Sequence, residues 1–157
     1  MNSNEALLDE LRQQEETFQF YEFSNETAFV LGLNLVQNAK KNRKPAVIDI
    51  SRYNHQLFHY SCEGSLPEDD CWIVKMNRVV HRFNKSSLHF GIYLKEEGKT
   101  IQEKYGISSI EYAPHGGAFP IRIKNVGIIG TITVTGLPQE ENHNMVVNVL
   151  REYLKVE

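Results

Sequence analysis

The sequence has few cysteines, no long apolar run and no excess of basic residues. Its 157 residues include only two cysteines, Cys62 and Cys71. That number and spacing suit neither a disulfide framework nor a CxxC zinc knuckle, so we expect reduced thiols. No apolar run approaches the roughly 20 residues needed to cross a bilayer. Residues 1–5 also lack the charged and apolar regions of a signal peptide. We therefore expect a cytosolic protein without membrane insertion.

Charge and composition are those of an ordinary globular protein. The formal net charge is −3, and the basic residues are spread along the chain, so we expect no nucleic-acid partner. The chain is 41% apolar and 24% charged, which is enough apolar residue for one core. No repeat or linker divides it. We therefore predict a single domain over residues 1–157.

Apolar periodicity predicts about five strands and five or six helices. The predicted strands are 17–23, 46–50, 56–61, 119–124 and 126–135. The predicted helices are 4–16, 25–41, 68–83, 86–98 and 138–155, with a short one opened by a capping box at Thr100. Because most strands follow one another as hairpins, the fold class is α+β, with an antiparallel sheet and helices packed on it.

Residues 112–144 contain half of the ten glycines and three of the five prolines. Within this stretch, Gly116 and Gly117 stand side by side. A glycine pair provides either positive φ or a close backbone approach, to a ligand or simply to another strand. A purely structural turn is the alternative interpretation, because glycine pairs commonly mark turns.

His115 precedes the glycine pair and follows Pro114. A neutral imidazole in such a loop can ligate iron or zinc, or act as an acid–base group. A histidine that only stabilises its loop is the alternative. No second histidine lies nearby at a metal-ligand spacing such as HxxxH, so we predict no metal-ion site here.

The predicted helix over residues 68–83 carries an apolar stripe that includes Trp72 and a basic stripe of Lys75, Arg78 and Arg82. Arginine and lysine at these positions can bind carboxylates or phosphates, and Trp72 can floor an apolar pocket. Arg122, in the strand after the glycine pair, is a further candidate anion contact. The alternative is a solvated helix face with no ligand.

No nucleophile or nucleotide-binding motif is present. The serines lack a GxSxG elbow, and neither cysteine lies in a recognisable Cys/His context. Gly127 and Gly130 lack the further glycine and the strand-to-helix setting of a GxGxxG loop, so they are expected to let strands pack or bulge.

Several segments together resemble the GlcG/HbpS family. The segments are GGAFPI (116–121), GIIGTITVTG (127–136), PQEENH (138–143), VIDI (47–50), QLFHY (56–60), WIVKMNRVV (72–80) and EEGKT (96–100). They are most similar to its small stand-alone bacterial and fungal branch. The resemblance implies a profilin-like fold, with a central antiparallel sheet between helices on both faces, and a homo-oligomer. Some members of the family bind or degrade haem.

These observations lead to one main hypothesis and two alternatives. The main hypothesis is a small-ligand-binding protein whose ligand is haem or a similar anionic, planar molecule. Its site would combine the following residues: Trp72, Lys75, Arg78, His115, Gly116, Gly117 and Arg122. The first alternative is a non-catalytic interaction protein that docks a partner on its basic, aromatic helix. The second is an enzyme that uses His115 as a general base.

Overall fold

The computed structural model describes residues 3–156, which form six helices around a four-stranded sheet. In chain order the elements are α1 (Ser3–Thr17), α2 (Asn25–Lys41), β1 (Val47–Arg52), β2 (His55–Ser61), α3 (Pro67–Phe83), α4 (Ser87–Glu97), α5 (Ile101–Tyr105), β3 (Ala118–Ile123), β4 (Gly127–Thr135) and α6 (Gln139–Leu154).

All neighbouring strands are antiparallel, in the order β2–β1–β4–β3. Two tight turns close the hairpins β1–β2 and β3–β4. Tyr53 in the first turn and Asn125 in the second adopt positive φ, of 54° and 66°. The two central strands, β1 and β4, pair in register, with Ile50 opposite Ile132. The predicted antiparallel arrangement and both hairpins are therefore confirmed.

One face of the sheet is apolar and holds the main core. Ile48 and Ile50 of β1, with Ile132 and Val134 of β4, are buried under α2 and α6. The side chains that point to this face alternate with those on the other, as the period of a strand requires. Helices α2 and α6 also pack on each other, so they form one continuous layer.

The opposite face is polar yet buried, and α3 covers it. Asp49 and Ser51 of β1 lie on this face, as do three threonines of β4. Two of the threonines bond to α3: Thr133 donates to Asn77 Oδ1 at 2.6 Å, and Thr135 donates to the carbonyl of Asp69 at 3.0 Å. These bonds fix α3 against β4 and set the position of every side chain that α3 presents. Helices therefore cover both faces, as predicted.

The predicted strand at 17–23 is wrong, and the sheet has four strands among the described residues rather than about five. Helix α1 continues to Thr17, and the segment after it touches the sheet through one parallel bridge, Phe20 to Ile123. Phe18 and Phe20 are buried, but Tyr21 is 82% exposed. Two backbone bonds at Phe20 are too few to form a ladder. Alternating aromatic residues here anchor an extended connection.

No helix within residues 3–156 combines the length and apolar character that crossing a membrane requires.

Candidate functional site

The loop before β3 and the first turns of α3 bring Trp72 and His115 together. The two rings meet edge to face, with 5.9 Å between their centres. The backbone N–H of Ala113 donates to the carbonyl of Lys75 at 3.1 Å, which ties the loop to α3. Trp72 is 38% exposed, and His115 is also exposed. Both rings are therefore accessible to a ligand.

Gly116 and Gly117 fix the position of this loop. The backbone N–H of Gly116 donates to Gln139 Oε1 at 3.0 Å, and Asn142 Nδ2 donates to the carbonyl of Gly116 at 3.2 Å. A Cβ at Gly117 would collide with the carbonyl oxygen of Val134 in β4. The close approach made by the glycine pair is thus to β4 and to the start of α6. The pair serves the site by holding His115 at its edge.

Two cavities share Trp72 and His115 as their common wall. The first has a volume of about 470 Å³ and lies between the beginnings of α3 and α6 at the end of β4. It is lined by Asp69, Trp72, Met76, His115, Thr135, Gly136, Leu137 and Asn142. Asp69 is held at the start of α3, where its Oδ2 accepts the backbone N–H of Leu66 at 2.8 Å.

The second cavity has a volume of about 480 Å³ and runs from Trp72 and His115 along α4. Its lining is mainly apolar and includes Ile92, Leu94, Ile101, Ala113 and Pro114. The lysines Lys95 and Lys99 also belong to its wall, and both are exposed. We call the two cavities together the Trp72–His115 cleft. Both volumes fall within the range typical of small-molecule sites.

Of the three basic residues of the predicted stripe, one contacts the Trp72 ring and two bond to the loop before β3. Lys75 Nζ lies 5.3 Å from the centre of the Trp72 ring, a cation–π contact beside the cleft. Arg78 Nη1 instead donates to the carbonyl of Glu111 at 3.1 Å. Its neighbour on the stripe, Arg82, donates to the hydroxyl of Tyr112 at 3.2 Å. These arginines hold the loop against α3, and neither lines the cleft.

Arg122 lies at the far end of α3. Its Nη2 is 3.5 Å from the carbonyl of Asn84, the residue that ends α3. At 1.5 Å of rise per residue, Asn84 is about 18 Å along the helix axis from Trp72. Arg122 is therefore too distant to share a small ligand with His115.

Comparison with known proteins identifies the family. The family model described as "Haem degrading protein HbpS-like" matches residues 23–151, which is most of the chain. The chain belongs to the HbpS-like family. The resemblance found in the sequence is thereby confirmed.

Curated relatives of this HbpS-like protein span nearly its whole length. A UPF0303 protein of Streptomyces coelicolor is 40% identical over 145 residues, which are 92% of each chain. A UPF0303 protein of Psychromonas ingrahamii is 38% identical over 155 residues, 99% of this chain and 97% of the relative.

Solved structures with the same fold include one with substantial sequence identity. The crystal structure of Ybr137w protein is 36% identical, with a TM-score of 0.87, and the match covers 94% of this chain and 87% of that one. The crystal structure of HbpS has a TM-score of 0.64 at 16% identity, with 87% and 92% covered. That of the PduOC:Heme complex has a TM-score of 0.67 at 14% identity, with 82% and 92% covered. At such low identity, HbpS and PduOC show only that this chain shares their fold.

Sequence reasoning missed several residues of the cleft in this HbpS-like chain. They are Asp69, Lys95, Lys99, Leu137 and Asn142. Asp69 was interpretable only as an acidic residue suited to a helix start, and Lys95 only as a cation near a helix end. No local pattern links either residue to His115, because the link is made by tertiary packing.

Among residues 3–156, no three His, Cys, Asp or Glu side chains are grouped closely enough to hold a metal ion. A metal held by protein ligands alone would need such a group. A single imidazole is nevertheless sufficient as an axial ligand for a metal that a macrocycle already coordinates. The donor set of the cleft therefore suits a prosthetic group better than a bare ion.

Proposed function

We propose that this HbpS-like protein binds haem, or a similar anionic planar molecule, in the Trp72–His115 cleft. The observation that carries the proposal is the joint placement of the exposed His115 imidazole, the Trp72 ring and two lysines around a mainly apolar cavity. A planar macrocycle with two carboxylates requires those three kinds of contact.

Each residue would have a separate role. His115 would provide a nitrogen ligand to the iron, and Trp72 would cover one apolar surface of the ligand. Lys95 and Lys99 would meet the carboxylates at the rim of the cavity, where charge-assisted hydrogen bonds form without burying an unpaired charge. The glycine pair would keep His115 at a fixed distance from Trp72, because both glycines are bonded to the protein frame.

The comparisons give independent support to this ligand class. The matching family model carries haem in its description, and one solved protein of the same fold, PduOC, is described as a haem complex. The docking-face alternative has less support, because Arg78 and Arg82 of the basic stripe already bond within the chain. General-base chemistry by His115 stays the second alternative.

Titration with haemin, followed by absorbance in the Soret region, tests the proposal. We expect a saturable shift with one haem per chain. In His115→Ala the band position should change, because the imidazole ligand to the iron is lost, and the dissociation constant should rise by at least tenfold. Lys95→Gln/Lys99→Gln should weaken binding several-fold without moving the band.

Two matched variants control for general effects. His55→Ala removes an exposed histidine of β2 that lies outside the cleft, and Lys41→Gln/Lys124→Gln removes two other exposed lysines. Both should bind haem as the wild type does. Equal loss of binding in the control and test variants would contradict the proposed site, and the absence of any Soret shift would contradict the ligand.

A further inference from the structure

A third cavity lies on the opposite flank of α3 from Trp72, between that helix and the β1–β2 hairpin. Its volume is about 340 Å³, at the lower end of the range for small-ligand sites. We call it the hairpin cavity. It is lined by Asp49, Ser51, Tyr53, Asn54, Gln56, Ile73, Val74, Asn77, Arg78 and His81. None of these side chains has a role in the proposed haem site. The two sites lie on opposite sides of helix α3.

The floor of the hairpin cavity is the carboxylate of Asp49, which already has hydrogen-bond partners within the protein. Asp49 is 3% exposed, and its Oδ1 accepts the Ser51 hydroxyl at 2.7 Å. Its Oδ2 accepts Gln56 Nε2 at 2.7 Å and lies 3.1 Å from His59 Nδ1. With two donors and the His59 ring around it, this carboxylate is stabilised within the protein.

His81 faces the cavity with both ring nitrogens unsatisfied. Neither Nδ1 nor Nε2 has a hydrogen-bond partner in the described structure, although both atoms are buried. The ring stacks on Tyr53 with 4.6 Å between centres. Burial lowers the pKa of His81, so the imidazole is neutral at pH 7 and offers one donor and one acceptor. Leaving such groups without partners is costly, and a rotation of the ring that turns either nitrogen towards the cavity would let a ligand bond to it.

A second unpaired group lies on the polar face of the sheet, which also carries Asp49 and Ser51. The hydroxyl of Thr131 is fully buried and has no hydrogen-bond partner in the described structure. Thr131 stands directly opposite Ser51 in the β1–β4 register, next to the cavity floor. Amide side chains complete the polar lining, since Asn54, Gln56 and Asn77 all face the cavity.

We propose that the hairpin cavity is a second ligand site that takes a small, neutral, polyhydroxylated molecule of the monosaccharide or polyol class. Hydroxyl groups both donate and accept, which matches neutral His81 and the three amides. The exposed face of the Tyr53 ring, which does not stack on His81, provides an apolar platform for the C–H face of such a molecule.

The charges around the cavity favour a neutral ligand over an ion. Asp49 is already compensated, and Asp70 lies 3.0 Å from the other nitrogen of His59. The one cation in the lining, Arg78, is at the rim and already donates to the carbonyl of Glu111. A cation would find no free carboxylate at the floor, and an anion would lie against Asp49. A hydroxylated neutral molecule avoids both penalties.

Titration of the full-length protein by ¹H–¹⁵N NMR tests the site. The probes are glucose, galactose, mannose, ribose and myo-inositol at millimolar concentration. We expect at least one to shift resonances of Tyr53, Asn77 and His81 while leaving those of Trp72 and His115 unchanged. His81→Phe keeps the stacked ring but removes both nitrogens, and it should weaken that binding by at least tenfold. It should also raise the melting temperature of the ligand-free protein.

Asn54→Ala, in the exposed turn, provides a second test that does not depend on the core, and it should weaken binding several-fold. His55→Phe is the matched control, because His55 is exposed on β2 and does not line the cavity. It should bind as the wild type does. If none of the five probes shifts the cavity resonances, or if His81→Phe binds them as tightly as the wild type, the proposal is overturned.

Discussion

Gly117 has a specific structural role at the scale of single residues. Its φ is +151°, and its carbonyl accepts the backbone N–H of Val134 at 3.1 Å. A methyl group at this position would collide with the carbonyl oxygen of Val134 and lie 2.7 Å from Met76 Cε. Gly117 thus makes the loop touch β4 closely enough for the adjacent residues to reach Trp72.

We therefore expect Gly117→Ala to destabilise the protein by about 2–4 kcal/mol, as a strained backbone and an overpacked contact combine. Urea unfolding followed by circular dichroism would measure this loss. Gly127→Ala is the control, since Gly127 also has positive φ, +125°, but has open space around it. It should lose only the backbone contribution, about 1 kcal/mol. Equal losses in the two variants would show that the contact with β4 is unimportant.

At the scale of elements, α1 is held to the rest of the fold by buried polar groups. The Glu15 carboxylate accepts the backbone N–H of Ser86 at 2.9 Å and lies 2.9 Å from His89 Nδ1. Next to Glu15 on α1, Gln14 Oε1 lies 2.7 Å from His143 Nε2. All four side chains in these contacts are buried, so α1 docks on α4 and α6 through specific hydrogen bonds as well as through Leu11.

This docking predicts a loss of stability in acid. Burial, with the nearby His89, lowers the pKa of His143 from 6.5 to about 4. The unfolded chain therefore takes up a proton below pH 6.5 that the folded chain does not bind until about pH 4. Stability is present above pH 6.5 and falls as the pH drops towards 4, by about 3 kcal/mol for this group.

His143→Gln keeps a donor for Gln14 and removes the titration. We expect its unfolding free energy to depend less on pH than that of the wild type between pH 7 and pH 4. Unfolding in urea at several pH values would measure the difference. The exposed His55 supplies the control, because His55→Gln should leave the wild-type dependence unchanged. Parallel pH curves for His143→Gln and the wild type would contradict the account of α1.

Local signals predicted most elements correctly, because helix starts and hairpin turns depend on neighbouring residues. Thr100 accepts a backbone N–H at the helix start where the sequence predicted a cap, and Ser24 does the same at the start of α2. The error at 17–23 has the opposite cause. An extended segment becomes a strand only when a partner ladder is available, and β3 offers Phe20 one bridge. The Glu15–His89 contact joins residues 74 positions apart, so no local pattern could indicate it.

At the scale of the whole molecule, α2 carries an exposed apolar patch. Phe29 is 48% exposed, and Val30 and Leu33 are each 38% exposed. They lie near the middle of α2, with Glu26 towards its beginning and Lys40 towards its end. Glu26 and Lys40 are equally distant from Leu33. Two α2 helices packed antiparallel about Leu33 would therefore bring opposite charges together at both ends.

We propose that this patch binds a second copy of the chain across a two-fold axis. Leu33→Glu places a charge at the centre of the interface and should convert the assembly to monomers. Light scattering after size exclusion would measure the mass. Val126→Glu is the control, since Val126 is exposed in the β3–β4 turn, far from α2 in sequence and outside the patch. A wild-type protein of monomer mass, or an unchanged mass in Leu33→Glu, would contradict the proposal.

The candidate site was predictable from the sequence only in part. Trp72 and His115 were singled out by residue type and setting, and the fold does bring them into contact. Arg78 and Arg122 were chosen for charge alone, and tertiary structure directs them to backbone carbonyls elsewhere. Lys95 and Lys99 reach the cleft because α4 packs beside α3, a relation that depends on the whole fold.

The central claim is that haem binds in the Trp72–His115 cleft, and the fluorescence of Trp72 tests it most directly. Trp72 is the chain's single tryptophan, so all tryptophan emission comes from the cleft. Haemin added stoichiometrically should quench nearly all of this emission, with saturation at one haem per chain and in step with the Soret shift. A Soret shift that develops while Trp72 keeps its full emission would place the haem elsewhere and contradict the account.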